Sequence, residues 1–107
     1  KLYTGEPMKN FFIALIFLWS GVVLAVDCPK TTVENIQIES EVIYVFPKGQ
    51  NWHLLGNINS VGTKERYSAL LAAQMSGKNI RLRYPDGYDC AAYNLSVPAI
   101  MVRTYND

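Results

Sequence analysis

Few residues of this chain carry chemistry, and His53 is the first to consider for catalysis. It is the only histidine, and it follows Trp52 in an apolar stretch. A general base needs a nucleophile and an orienting acid within hydrogen-bond reach, but no Ser/His/Asp arrangement can be defended around this position. We therefore interpret His53 as a structural or surface residue and expect a protein that is not an enzyme.

The two cysteines, Cys28 and Cys90, are the next candidates. A zinc site needs a cluster of ligands, and two distant cysteines with one histidine do not provide it, so we expect no metal and no cofactor. Export would favour a disulfide, and only one intramolecular pairing exists. That bond would close a loop of about 60 residues and stabilise the fold by roughly 4 kcal/mol. Two free buried thiols remain the alternative.

Three further side chains could bind a ligand. Trp52 could stack on a sugar ring, or it could fill the core or close the end of a barrel. Arg81 and Arg83 share one face of "NIRLRY" (79–84). They could contact an acidic sugar, meet acidic residues of a neighbouring subunit, or lie in solvent. The net charge of only +1 argues against nucleic acid as a partner, because phosphate neutralisation needs a basic surface.

The start of the sequence has the features of a secretory signal peptide. Lys9 supplies the positive charge, and the apolar run 11–26 that follows has 16 residues. A span of the bilayer needs roughly 20 residues, and the small residues around Ala25 are typical of a cleavage site. We predict export with cleavage near Ala25, which would make the protein secreted or periplasmic. A retained membrane anchor is the alternative.

These features divide the sequence into three parts. Residues 1–7 precede Met8 and are interpreted as upstream or added sequence, and residues 8–25 form the signal peptide. Residues 26–107, 82 in number, form a single domain. A domain of this size buries a limited core, so it gains from a covalent link or from a partner chain.

The domain is predicted to be mainly β with one helix (α+β), in the order β-β-helix-β-β. Alternating and β-branched residues indicate strands at 33–47, 52–59, 79–84 and 97–105. The first two strands should form a hairpin, and residues 39–41 indicate either a bulge or a break into two strands. Pro98 favours an edge or the start of a strand.

Side-chain alternation predicts which way the strands face. The second strand has three residues on one face: Trp52, Leu54 and Gly56. The third strand points three side chains inward: Ile80, Leu82 and Tyr84. We expect the inward side chains to form part of the hydrophobic core.

In residues 60–78 the apolar residues recur with the spacing of a helix and no longer alternate as in a strand. Four residues form one stripe that should pack on the sheet: Tyr67, Leu70, Leu71 and Met75. Thr63 can serve as the N-cap, and Gly77 stands where a left-handed residue ends a helix. Ala69 and Ala73 are assigned to a second face, toward neighbouring subunits.

A few strands around one helix suit a small, partly open barrel of the oligonucleotide/oligosaccharide-binding (OB) type. The residues also resemble a known family, the B subunits of AB5 enterotoxins of the cholera and heat-labile type. Three segments carry the resemblance: "TKERYSALLAAQMSGK" (63–78), "NIRLRYPDGYDC" (79–90) and "CAAYNLSVPAI" (90–100). They are similar to the family's helix, to its next strand with the second cysteine, and to its final strand. B subunits of the subtilase-cytotoxin type are a looser comparison.

The resemblance implies a non-catalytic subunit that binds cell-surface carbohydrate as a pentameric ring and carries a separate toxic A subunit. In that family an aromatic residue and an asparagine follow the second cysteine in the sugar site. Tyr93 and Asn94 hold this place here, with the aromatic displaced by one position, and an ordinary turn is the alternative for both. Trp52 is the third expected sugar contact, and Arg81 and Arg83 are expected near a subunit boundary.

A second class of function stays open. The chain could be a stand-alone exported binding or inhibitor domain, with a toxin-B-like barrel and no toxic partner. A neighbouring gene for an ADP-ribosyltransferase or a protease would favour the toxin subunit. A monomer that binds no glycan would favour the stand-alone domain.

Overall fold

The computed structural model of the chain describes residues 24–107, so most of the predicted signal peptide and residues 1–7 lie outside the described residues. Within the described part, seven strands and one helix follow in the order β1 (Ala25–Asp27), β2 (Thr31–Glu39), β3 (Val42–Pro47), β4 (His53–Asn57), α1 (Thr63–Ser76), β5 (Asn79–Pro85), β6 (Asn94–Pro98) and β7 (Met101–Thr104). This part is therefore mainly β with one helix, as predicted. No helix in residues 24–107 is long and apolar enough to cross a membrane.

The strands form a curled half-barrel that is compatible with the expected small OB-like barrel. β2 connects its two halves, because its first two residues pair with β5 and its remainder pairs with β3. The register shifts between Val33 and Asn35, and a bulge of this kind bends a strand and increases its twist. One half of the sheet continues from β3 to β4 and then to β6. In the other half, β1 and β7 both pair with β5.

The core lies between the inner face of the curled sheet and the helix. The three alternate residues of β5 are buried as predicted: Ile80, Leu82 and Tyr84. They belong to one apolar cluster with Val45 of β3 and Leu70 of α1. The phenol of Tyr84 donates a hydrogen bond to the carbonyl oxygen of Leu54 at 2.9 Å, so its burial leaves no unpaired hydroxyl.

Four strands precede the helix, whereas the sequence predicted two. Residues 33–47 break into β2 and β3 at a tight turn in which Ser40 has φ 48°; of the two alternatives, the break is correct. β3 and β4 form the predicted hairpin. β1 was missed because three residues are too few to show a pattern.

The last predicted strand is also divided. β6 ends at Pro98 and β7 begins at Met101, so the proline ends a strand rather than starting one. That strand lies at the edge of the sheet, which was the other predicted position for the proline. Between the two strands Ala99 turns into the core, and its N–H donates to the carbonyl oxygens of Leu54 and Leu55, both at 3.2 Å. Burial of this one residue therefore interrupts the alternation that the sequence suggested.

The predicted faces of the second strand are partly wrong. Leu55 and Gly56 are both buried, whereas Trp52 and Leu54 lie on the outer face. Ile43 pairs with Gly56 and the next residue of β3 pairs with Leu54, which makes Leu55 the extra residue of a bulge. Two consecutive residues of β4 thereby point inward.

The helix packs on the sheet through a stripe that differs from the predicted one. Leu70 is fully buried and Tyr67 packs against the core, as predicted, and Leu71 is half-buried. The prediction for Met75 is wrong, because its side chain is 80% exposed. Ala73, which was assigned to a face toward neighbouring subunits, lies in the protein's own core. Its small side chain lets the helix approach the sheet closely.

The two helix ends differ in how well they were predicted. Gly77 ends the helix in the left-handed conformation, with φ 72°, as predicted. Thr63 is not the N-cap, because Gly62 holds that position with φ 90° and Thr63 is the first helical residue. Thr63 is buried against Gly56, where a Cβ atom would come within 2.6 Å of the threonine Oγ1. Glycine at position 56 therefore permits this close approach.

Candidate ligand-binding site

A disulfide holds the surroundings of the site together. Cys28 and Cys90 are bonded as predicted, with Cα atoms 5.6 Å apart and a separation of 62 positions in sequence. The N–H of Cys28 also donates to the carbonyl oxygen of Leu82 at 2.9 Å. The bond therefore fixes the segment after β1 and the loop between β5 and β6 to the same part of the barrel.

A cleft of about 310 Å³ lies on the outer face of the β2-β3-β4-β6 half of the sheet. We name it the aromatic cleft, and six residues line it: Gln37, Glu39, Tyr44, Trp52, Tyr93 and Leu95. Gln37 and Glu39 alternate along β2, and Tyr44 pairs with Gln37 across the strands. Since successive side chains of a strand point to opposite faces, the buried neighbours Ile43 and Val45 leave Tyr44 on the outer face.

The structure brings together two of the three predicted sugar contacts, Trp52 and Tyr93. Trp52 directly precedes β4, and its ring packs edge-on against Phe46 with centroids 5.4 Å apart. Its carbonyl oxygen accepts a hydrogen bond from the N–H of Asn94 at 3.3 Å, which joins it to the residue after Tyr93. Tyr93 itself is 65% exposed. The cleft thus contains the indole of Trp52, which packs against Phe46, and the exposed phenol of Tyr93.

Asn94, the third predicted contact, does not line the aromatic cleft. Its Oδ1 accepts hydrogen bonds from the N–H and hydroxyl of Ser96, at 2.9 and 3.1 Å, and from the N–H of Val97 at 3.3 Å. These contacts make a local turn. Asn94 instead lines a separate hollow of about 280 Å³ beside Tyr88. Asn94 therefore begins β6 and bonds to its own strand, while Tyr93 lies in the cleft.

Sequence reasoning missed Gln37, Glu39, Tyr44 and Leu95 as parts of the cleft. A signal for the first two was present, because Gln37 and Glu39 alternate with two isoleucines at the end of β2. Gln37 and Glu39 lie near Trp52 because β2 pairs with β3 and β3 pairs with β4. Pairings of this kind cannot be read from local spacing.

Arg81 and Arg83 lie on the other half of the sheet and do not line the aromatic cleft. Arg83 Nε donates to Asp27 Oδ1 at 2.6 Å, and this hydrogen bond holds the pKa of Asp27 below its usual value. Arg81 stands opposite Arg103 across the β5–β7 pairing. One of the two predicted arginines therefore has an acidic partner within its own chain.

The side chain of His53, the residue after Trp52, points to the opposite face of the sheet from the cleft. It is fully buried, its Nδ1 lies 2.6 Å from the Tyr88 hydroxyl, and its Nε2 lies 3.2 Å from Gln50 Oε1. The Gln50 amide donates to the Pro29 carbonyl at 3.0 Å, which turns Oε1 toward the ring. Nε2 then donates to Gln50, and Nδ1 accepts from Tyr88. A neutral imidazole satisfies both contacts.

We expect the fold to lose stability on mild acidification because of His53. Burial lowers its pKa from the ordinary 6.5, whereas burial raises the pKa of Tyr88 to about 12 and keeps its hydroxyl a donor. A lowered pKa means that protonation favours the unfolded chain, so this stabilisation is complete above pH 6.5 and is lost as the pH falls below it. Thermal melts between about pH 7.5 and 5.5 should show a falling Tm.

The control for this prediction is His53→Gln, which removes the only histidine of the chain. The variant should melt lower at neutral pH and should show a flatter dependence of Tm on pH. A wild-type Tm that stays constant over this interval, or an unchanged slope in the variant, would contradict the assignment.

Within the described residues no three His, Cys, Asp or Glu side chains are placed to hold a metal ion. Comparison with known proteins gives no match, since no family model, curated protein or solved structure matches the chain. The interpretation of the aromatic cleft therefore depends on its own geometry and chemistry.

Proposed function

We propose that this protein is a non-catalytic carbohydrate-binding domain that takes a sugar ring into the aromatic cleft. One observation carries the proposal: Trp52 and Tyr93 share the cleft with the Glu39 carboxylate and the Gln37 amide. A pyranose has an apolar C–H side that packs on an aromatic ring, and its hydroxyls bond to carboxylate and amide oxygens. A concave site with aromatic walls and a few polar groups is typical of small-ligand binding.

The proposal includes export and assembly into a ring. β6 ends the strand order, and no second strand pairs with it among the described residues; an open edge of this kind can pair with another chain. Several apolar side chains of the domain are exposed, among them Val61, Met75 and Ile100, and contact with a neighbouring copy would cover them. A ring multiplies weak sugar contacts and raises effective affinity by roughly 10² to 10⁴. A toxic A subunit is the further partner that the resemblance implies.

The test of sugar binding is a glycan array with the wild type and two variants of the cleft. Trp52→Ala and Tyr93→Ala should each weaken binding by about tenfold or more, because each removes an aromatic stacking surface. Tyr105→Ala is the matched control, since Tyr105 lies outside the cleft and contacts Lys30 at 4.4 Å. Unchanged binding by Trp52→Ala would reject the aromatic cleft as the site.

Assembly requires a separate measurement, size-exclusion chromatography with light scattering. Wild type and Tyr93→Ala should both elute as the same ring oligomer, because Tyr93 precedes β6 and its exposed phenol lies in the cleft. A monomer at micromolar concentration that still binds glycan would leave the cleft in place and reject the ring.

A further inference from the structure

We propose that the aromatic cleft selects uncharged glycans over acidic ones, with Glu39 as the specificity-determining residue. The inference rests on the proposed function, and it names the class of sugar that the same site takes. It follows from the charge of the cleft lining and from the hydrogen-bonding groups that the lining presents.

The charge of the lining disfavours an anionic ligand. Glu39 is the one acidic side chain among the six lining residues, and no lysine or arginine accompanies it. A sialic acid carboxylate or a sulfate in the cleft would therefore lie near a like charge without a cation to compensate. Like-charge contacts of this kind suppress wrong partners. Arg81 and Arg83, on the other half of the sheet, do not supply that cation.

Within the lining, the paired Gln37 and Glu39 side chains favour a ligand that donates hydrogen bonds to them. The Gln37 amide donates a hydrogen bond to Glu39 Oε2. This bond orients both side chains and occupies one of the two N–H groups of Gln37. Glu39 Oε1 and Gln37 Oε1 are left as acceptors at the polar end of the cleft. Sugar hydroxyls can donate to them, whereas an ionised carboxylate or a sulfate has no proton to give.

The experiment compares wild type with Glu39→Gln on matched pairs of immobilised oligosaccharides. Each pair is an uncharged glycan and the same glycan carrying one sialic acid or one sulfate. Wild type should bind the acidic member at least about tenfold more weakly. Glu39→Gln keeps the shape of the side chain and removes its charge, so the difference should shrink by about threefold or more.

Glu41→Gln is the matched control, because it makes the same change of charge two residues away. Glu41 lies at the β2–β3 turn, accepts a hydrogen bond from Asn59 at 3.1 Å and does not line the cleft. The preference of Glu41→Gln for uncharged over acidic glycans should equal that of wild type. Raising the salt concentration should narrow the wild-type preference, since exposed charges are screened.

Three outcomes would overturn the inference. If wild type binds acidic glycans equally or more tightly, the selectivity is rejected. Loss of that binding in Trp52→Ala would show that carbohydrate still binds in the cleft. A preference that Glu39→Gln leaves unchanged, or that Glu41→Gln alters equally, would remove the role of Glu39. Absence of binding to every glycan in the panel would overturn both this inference and the proposed function.

Discussion

Replacing Cys28 and Cys90 together by serine should lower the free energy of unfolding by about 4 kcal/mol. The disulfide joins residues 62 positions apart, and a cross-link of this span removes much of the freedom of the unfolded chain. Small domains are stable by only about 5–15 kcal/mol in total, so the loss would leave a marginal fold. Denaturant unfolding followed by circular dichroism measures the difference.

The matched comparison for this prediction is wild type with and without a reducing agent. Reduction should reproduce the loss in the double variant, while the double variant itself should not respond to the agent. Because Cys90 lies in the loop that carries Tyr93, reduction should also weaken binding at the aromatic cleft. Equal stability of oxidised and reduced wild type would show that the bond does not stabilise the fold.

Leu70→Ala should cost about 2–5 kcal/mol, the range for a large apolar side chain deleted from a packed core. Leu70 is fully buried between the helix and the sheet, so its removal leaves a cavity that the surrounding strands can close only in part. Denaturant unfolding again gives the difference in free energy, provided that the slope of the transition stays unchanged.

The same helix supplies two graded controls for Leu70→Ala. Met75→Ala should cost under about half a kcal/mol, because the side chain is 80% exposed. Leu71→Ala should fall between the two, since Leu71 is half-buried. A loss at Met75 as large as that at Leu70 would mean that the helix packs through the stripe that the sequence suggested.

The parts of the fold that follow from local pattern were predictable. In β5 the alternation of apolar and charged residues is regular, and Ile80, Leu82 and Tyr84 are all buried. Gly77 could be placed because a helix end requires a left-handed conformation, which glycine adopts without strain. The disulfide required only the count of cysteines and the expectation of export.

Other parts depend on tertiary contacts that no local pattern contains. The burial of Ala73 in place of Met75 reflects how closely the helix approaches the sheet, whereas apolar periodicity favours the larger side chain. Leu55 points inward because a bulge shifts the β3–β4 register. Trp52 was predicted from its aromatic side chain and Tyr93 from the family resemblance, but strand pairing was needed to place Glu39 beside them.

Carbohydrate binding in the aromatic cleft can be tested most directly through Trp52, the only tryptophan in residues 26–107. The chain that begins at Val26, the form expected after export, should be titrated with an uncharged oligosaccharide that binds on the array. Stacking of a sugar on the indole predicts a saturable change in tryptophan emission and protection from quenching by acrylamide. The Kd from this change should equal the Kd from calorimetry. Saturable binding by calorimetry with unchanged emission and quenching of Trp52 would contradict a site in the aromatic cleft.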